Sequence, residues 1–527
     1  MVANNPVKQE SANCYLIHAP GYYKLPTVYG NTYNNIDYSK TYTYLGTFPD
    51  KNVEKHVLKN FVGHDNIRIS NIQIPNVNDA IIVWQDSPDL VTDVRLENDG
   101  WVYFRIPEET INQGNAVIAV RNSAKEILWS WHIWVTHQSW ARDDVQQSAA
   151  KDEGGEHFQF APCNLGYCCP HEGNDKRQVY MRFLVTMPGG SKQILQKFGT
   201  MPQGTPQPDK DGIFTFTQPV IIKSIAGDNT YYQWGRKDPM LPGVYNAKIR
   251  SQAPSTYLEE LDMENKMFYS TKEYRFTSSE TGRSIGESIL YPYHFFMHKR
   301  PTTDTDNNGT DDFRRRHWHD GSDAMYTMES IMNYWNSQLD RDGTVGDAFP
   351  NNMNVTKTIY DPSPAGYKMP PPSAFSKFFK KINSEYTMSD DLLYRPLKKT
   401  YSEENQIIGW SITDQEGKEF FFPSTGLRDM GIKEREVSVG TWPAHSKVTF
   451  VISAGFNSNK SNSGNRAAPM LLLVIDERNT YVTFKKQVGA THVTQNSYGI
   501  TVRPILDNCM TTSGDSKPLT NRLKYDN

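Results

Sequence analysis

Residues Thr356 to Phe375 read TKTIYDPSPAGYKMPPPSAF. Thr358, Ile359 and Tyr360 have the β-branched and aromatic character of a short strand. Asp361-Pro362 and Pro364-Ala365-Gly366 turn the chain, and Tyr367-Lys368-Met369 is expected to return as a second strand. Pro370, Pro371 and Pro372 remove the backbone donors a longer ladder would need and stop it. Ser373 then stands as an N-cap ahead of Phe375, Phe378 and Phe379, so a short helix burying one aromatic face should follow. A rigid corner between strands, closed by prolines, predicts a β-rich core at this point of the chain.

Towards the N-terminus, residues 11–137 read as one β module. Strands are expected at Asn13–His18, Tyr22–Val28, Ala80–Trp84, Trp101–Ile106, Ala116–Val120 and Ile127–Trp134, separated by turn residues such as Asn98-Asp99-Gly100 and Gln113-Gly114-Asn115. Short strands at this spacing argue for an antiparallel sandwich. In Ile127–Trp134 the apolar residues occupy both faces, as in a central strand or one joining two domains. Its tryptophans are read as core rather than as a sugar-stacking platform, and His132 as a satisfied buried histidine.

In the middle of the chain several patterns invite a chemical reading. Asp304-Thr305-Asp306-Asn307-Asn308-Gly309-Thr310-Asp311-Asp312 places oxygen ligands at alternate positions with a glycine at the sixth, the first half of a calcium loop, so Asp304, Asp306, Asn308 and Asp312 are the candidate Ca²⁺ ligands. Arg315 stands where a bidentate glutamate is required, and a solvated acidic turn is the competing reading. Gly282-Arg283-Ser284-Ile285-Gly286 matches G-x-S-x-G, but the polar residues before it and Pro292 after it lack the strand and helix of a nucleophile elbow. Gln207-Pro208-Asp209 reads as an ordinary turn, and the methionine stripe with Trp335 between Ala324 and Leu339 as helical core. Cys163, Cys168 and Cys169 cluster near His171 without the second paired motif that makes a zinc site specific. No phosphate-cradling loop, HExxH or dinucleotide fingerprint occurs, and no pair of carboxylates is singled out for glycoside hydrolysis.

Composition bounds the rest. The 527 residues imply more than one ordinary domain, with 37% hydrophobic residues to build cores. With 56 lysines and arginines against 59 aspartates and glutamates, the net charge of -3 gives no field suited to nucleic acid or an anionic membrane. No segment has the ~20 apolar residues of a membrane helix, and no basic-then-apolar leader opens the chain.

The corner DPSPAGYKMPP resembles the "DPCPAGW(K)VPP" corner of the Fibrobacter succinogenes major paralogous domain family, which is itself similar to C-type-lectin-like domains and to the formylglycine-generating enzyme fold. Asn164-Leu165-Gly166 looks like that family's "RNLG", Tyr232–Pro239 like "YQWGRKDP", Phe420–Asp429 like "FFPAxGyRd", Gly440–His445 falls where "GyYWSA" is expected, and Gly499–Pro504 looks like "GfsVRpV". The N-terminal strands resemble a β module that precedes the lectin-like module in surface and fimbria-associated proteins of gut Bacteroidales.

The resemblance implies an α+β fold with β predominating: residues 1–10 a leader or linker, an N-terminal β-sandwich stalk over 11–137, and a C-type-lectin-like domain over 138–527 with an insertion at about 250–355. It implies an export signal already trimmed and a place at the cell surface, in a fimbrium. In lectin-like folds the exposed C-terminal loops present the ligand surface, here Thr441–His445, Phe456–Arg466 and roughly 489–498. Trp442, His445, Asn457, Asn459, Asn462 and Asn465 are therefore the candidate ligand-binding residues. The expected protein is a non-catalytic adhesin, a fimbrial tip subunit taking a host or microbial glycan or surface protein and contacting other fimbrial subunits, with no nucleic acid and no membrane insertion. The alternative is a secreted enzyme on the same fold, a hydrolase or a thiol-dependent modifier, although only Cys509 lies in the C-terminal region where the modifying relatives carry paired cysteines.

Overall fold

The computed structural model describes residues 11–32, 61–87, 89–138, 140, 146–147, 158–168, 179–187, 190–198, 229–240, 276–279, 284–298, 334–336, 355, 357–371, 374–375, 378, 387–388, 393–401, 407–423, 425, 427–433, 436–442, 448–454, 456–461, 464–469, 472–476, 481–484 and 499–507. Among them strands dominate and helix is sparse, as the sequence led us to expect.

The first module is built from β1 (Cys14–Ile17), β2 (Gly21–Pro26), β3 (Asp79–Gln85), β4 (Thr92–Leu96), β5 (Trp101–Ile106), β6 (Gly114–Arg121) and β7 (Ile127–Val135). They form two sheets, β1-β7-β6-β3 and β2-β5-β4. Each strand expected from the sequence is present, and β4 is an addition. All pairs are antiparallel except β1 with β7, which run parallel from Cys14↔His132 to Ile17↔Val135. All nine residues of β7 are buried, because it is central in its sheet. Ala116, Ile118 and Val120 of β6 join the main core, whereas Val117 and Ala119, on its other face, pack with Val83, Trp84 and Ile127 and are covered by Tyr293.

Short elements follow: β8 (Gln146–Gln147), β9 (Gln159–Phe160), the hairpin β10 (Val179–Met187) with β11 (Gly190–Phe198), β12 (Phe276–Ser279), helix α1 (Ile285–Leu290) and β13 (Phe295–His298), which pairs parallel to β12. Next come β14 (Tyr367–Lys368), β15 (Thr387–Met388), and the meander β16 (Lys398–Tyr401), β17 (Ile407–Thr413) and β18 (Glu419–Pro423). The last described strands are β19 (Leu427–Lys433), β20 (Glu436–Trp442), β21 (Val448–Ile452), β22 (Phe456–Ser461), β23 (Gly464–Pro469), β24 (Leu472–Asp476), β25 (Tyr481–Phe484), β26 (Thr501–Val502) and β27 (Ile505–Leu506). Sheets β14-β27-β9-β8 and β15-β25-β24-β21-β26 are joined by the step from β26 to β27 through Arg503-Pro504.

At the corner, Tyr367-Lys368 forms a strand as expected, but Thr358–Tyr360 does not. Asp361 N donates to Thr358 O at 3.2 Å and Tyr360 N to Thr358 Oγ1 at 3.2 Å, so a turn consumes the groups a ladder would use. Asp361 is buried and accepts Ser363 N at 2.8 Å and Met369 N at 2.9 Å, which holds the two arms of the corner together. Gly366 has φ 77°, a conformation that disfavours any residue with a Cβ. Phe375 and Phe378 are fully buried against Phe160 and Phe420, so the expected aromatic face is formed; the proposed cap, Ser373, lies outside the described residues.

The main core crosses residue 138. It joins Trp129, Trp131 and Trp134 of the first module to Trp234, Trp335, Tyr360, Tyr367, Ile500 and Val502. Asn13 Nδ2 donates to Ile359 O at 2.6 Å and Asp361 O at 2.8 Å, and Asn31 Nδ2 to Thr358 O at 2.8 Å and Asp361 O at 3.0 Å. Two asparagines of the N-terminal module thus satisfy the carbonyls of a corner more than 300 residues away, groups whose burial unpaired would cost about 1–3 kcal/mol each. Tyr360 OH closes the same joint by donating to Val62 O at 2.8 Å and accepting from Val62 N at 2.8 Å. Trp335 is buried as read, although the described residues Tyr334–Asn336 form a bend rather than a helix.

Candidate functional site

Four of the stretches that carry the family resemblance, through Leu165, Tyr232, Gly366 and Phe421, are bonded to the C-terminal segment 499–507. Leu165 N donates to Val502 O and Ala161 N to Pro504 O, both at 2.9 Å; Tyr232 and Ile500 exchange two backbone bonds; and Asp507 N donates to Gly366 O at 2.8 Å. Arg503 is the hub. Its guanidinium donates to Ala161 O, Pro162 O and Phe421 O and lies 4.7 Å from the Phe422 ring, and burial pulls its pKa down to about 10. These backbone bonds and the Arg503 guanidinium hold the fold together.

The same holds for the buried polar residues beneath β7. His132 is neutral: Nε2 donates to Asn115 Oδ1 at 2.9 Å and Nδ1 accepts from Tyr232 OH at 3.1 Å, while desolvation drives its pKa from 6.5 to about 3. Asn115 is oriented in turn by Asp86, which accepts from its backbone N at 2.8 Å and its Nδ2 at 3.0 Å. Lys237 Nζ donates to both Asp238 oxygens (2.7 and 2.8 Å) and to Ser130 Oγ (2.7 Å) and lies 4.3 Å from the Trp129 ring. Burial lowers its pKa to about 8 against the opposing pull of Asp238. Each group is 3% exposed or less, so these are interior ties between β6, β7 and Tyr231–Asp238. His132 was read correctly as a satisfied core residue; its partners Asn115 and Tyr232 lie 17 and 100 residues away and carried no local signal.

A separate two-stranded ribbon, β22 with β23, falls in sequence between two strands of the five-stranded sheet. β21 and β24 are antiparallel neighbours whose pairing ends at Ile452↔Leu472, and the chain between them folds into β22 and β23, paired from Phe456↔Pro469 to Ser461↔Gly464. The stretch Phe456–Arg466, expected as a loop, is therefore mostly a β-ladder. Asparagine and serine are poor strand formers, yet here two core strands deliver their flanks side by side, and pairing overrides propensity.

By strand alternation Asn457 and Asn459 share one face, opposite Ala468 and Arg466, while Asn465, opposite Lys460, belongs to the other face. Asn457, Asn459 and Asn465 are thus brought onto one ribbon but not onto one surface. Trp442 ends β20 opposite Leu427, at the base of a second hairpin rather than in a loop. His445, Asn462, and the candidate calcium ligands Asp304, Asp306, Asn308 and Asp312 lie outside the described residues, as do Gln207-Pro208-Asp209, Cys169 and His171. Among the described residues no group of three or more His, Cys, Asp or Glu side chains is placed to hold a metal ion, and no helix is long and apolar enough to cross a membrane.

Ser284 corrects one detail of the sequence reading. A strand, β12, does precede it and a helix, α1, does follow. Yet the serine is the helix N-cap in extended conformation (φ -75°, ψ 162°), its Oγ accepting from Glu287 N at 3.1 Å while Glu287 returns a bond to Ser284 N at 3.0 Å. A capping box explains Ser284 and Glu287 without chemistry. Comparisons with known protein families, with characterised proteins and with solved structures gave no match to this chain.

Proposed function

We propose that this protein is an extracellular ligand-binding adhesin, a fimbrial tip subunit that recognises a host or microbial glycan or surface protein through its C-terminal ribbon. The observation that carries the reading is the placement of an asparagine- and serine-rich ladder, Phe456–Ser461 with Gly464–Pro469, as the continuation of two strands of the five-stranded sheet. Short polar residues donate and accept with little entropic cost and suit adaptable recognition. The resemblance of the motif stretches to a lectin-like family supports the same reading. The reading is non-catalytic.

The test is adhesion of the intact chain to immobilised mucosal glycoproteins, beside a variant in which residues 456–466 are replaced by a glycine-serine linker. Adhesion is expected to fall at least tenfold with the melting temperature of the body preserved. Equal adhesion by a folded variant would place the binding surface elsewhere.

A further inference from the structure

The outer face of the β2-β5-β4 sheet carries a row of rings and charges that packing does not require. Tyr23, Leu25, Val102, Phe104 and Ile106 turn inward to the core, and the alternate residues Tyr22, Lys24, Trp101, Tyr103 and Arg105 turn outward. Register sets Tyr22 beside Arg105, Lys24 beside Tyr103 and Pro26 beside Trp101, so aromatic and cationic side chains alternate across the two strands. Lys24 Nζ stands 5.0 Å from the Trp101 ring and 5.1 Å from the Tyr103 ring, Arg95 5.5 Å from Tyr103, and Arg105 5.8 Å from Tyr22, which is 49% exposed. Trp101 stands four strand positions from Arg105 in the Tyr22 row, about 13 Å of extended surface.

Charge decides what such a surface accepts. Each cation has its own carboxylate: Lys24 with Asp99 at 3.7 Å, Arg95 with Glu97 at 2.6 Å and Arg105 with Glu109 at 3.2 Å. Tyr103 OH accepts from Lys24 at 3.0 Å and donates to Asp99 at 2.8 Å. The row is electrically balanced, so it offers no gain to a polyanion or an anionic bilayer. It offers instead ring faces for weakly positive C–H groups, and paired donors and acceptors at their rim for hydroxyls that need both.

We propose that this face is a second binding site, taking a neutral oligosaccharide laid along β5, with Trp101 and Tyr22 stacking on sugar rings and Lys24, Asp99, Arg95 and Glu97 bonding their hydroxyls. The N-terminal module is then a binder as well as a support. The site is independent of the C-terminal ribbon and does not rest on the reading of that ribbon.

Calorimetric titration of the full chain with cellohexaose, mannohexaose and a neutral N-acetyllactosamine hexasaccharide, with a heparin hexasaccharide as the anionic arm, tests it. At least one neutral sugar is expected to bind in preference to heparin, with at least tenfold loss in the double variant Tyr22→Ala/Trp101→Ala, near-normal binding in Trp101→Phe, and no change when residues 456–466 are replaced by the linker. Should the double variant fail to fold, Asp99→Asn and Glu97→Gln at the rim are expected to weaken the same sugar severalfold. Binding of none of the neutral sugars, preference for heparin, undiminished binding by a folded double variant or by both rim variants, or loss of binding with the ribbon alone would each overturn the proposal.

Discussion

Gly366 shows at the level of one residue how the corner works. Its φ of 77° lets the chain reverse so that Tyr367 can pair with Leu506 and its own carbonyl can accept from Asp507. Gly366→Val is expected to lower stability by more than ~1 kcal/mol, read as a drop in the melting temperature, since a β-branched residue is strained there. An unchanged melting temperature would count against the assignment. His132 gives a pH dependence with a definite sign. Its folded pKa, about 3, lies below the unfolded 6.5, so between those values the unfolded chain binds more protons and stability falls as pH falls from 6.5 towards 3. His132→Gln is expected to flatten that part of the stability-pH curve, checked by urea unfolding at pH 4 and pH 7. Gly366 was legible because a glycine after Pro-Ala in a turn has few other uses. The absence of a strand at Thr358–Tyr360 was not, because the bonds that fold it into a turn are made by one threonine side chain and by Asp361.

At the level of elements, legibility followed alternation. β5 was read to the residue because inward Val102, Phe104 and Ile106 alternate with outward Trp101, Tyr103 and Arg105. β4, with the charged residues Asp93 and Arg95 and an irregular register between Thr92 and Arg95, gives no such pattern and was missed. The ribbon was misread as a loop for the opposite reason: its residues disfavour strands, and pairing is imposed by β21 and β24 from outside the stretch. Asn459→Pro is expected to remove a ladder donor and lower amide protection across 456–461 and 464–469 in hydrogen exchange, whereas unchanged protection would mean that the ladder contributes no order there. The Asp304–Asp312 stretch carries an expectation from sequence alone: if it binds calcium rather than forming a solvated acidic turn, calorimetry should show micromolar to millimolar affinity, on the order of extracellular modules, and no heat would retire the site.

At the level of the whole molecule, the division at residue 138 is one of sequence pattern, while the core is continuous across it. Asn13 and Asn31 reach the carbonyls of Thr358, Ile359 and Asp361, and the tryptophans of β7 share a cluster with Trp234 and Tyr360. Asn13→Ala is therefore expected to destabilise the whole, by about 1–3 kcal/mol, with the first module and the corner still melting together. Separate transitions for the two in calorimetry would show that the shared core does not couple them. These long-range ties were invisible in the sequence because an asparagine beside a strand gives no sign of a partner hundreds of residues on. The proposed recognition through the ribbon is tested most directly by adhesion to immobilised mucosal glycoprotein of two folded variants, Asn457→Ala/Asn459→Ala on one ribbon face and Asn465→Ala on the other. Loss of at least tenfold in one or both, with unchanged melting temperature, is the expected result; adhesion equal to that of the intact chain in both would contradict recognition through the ribbon.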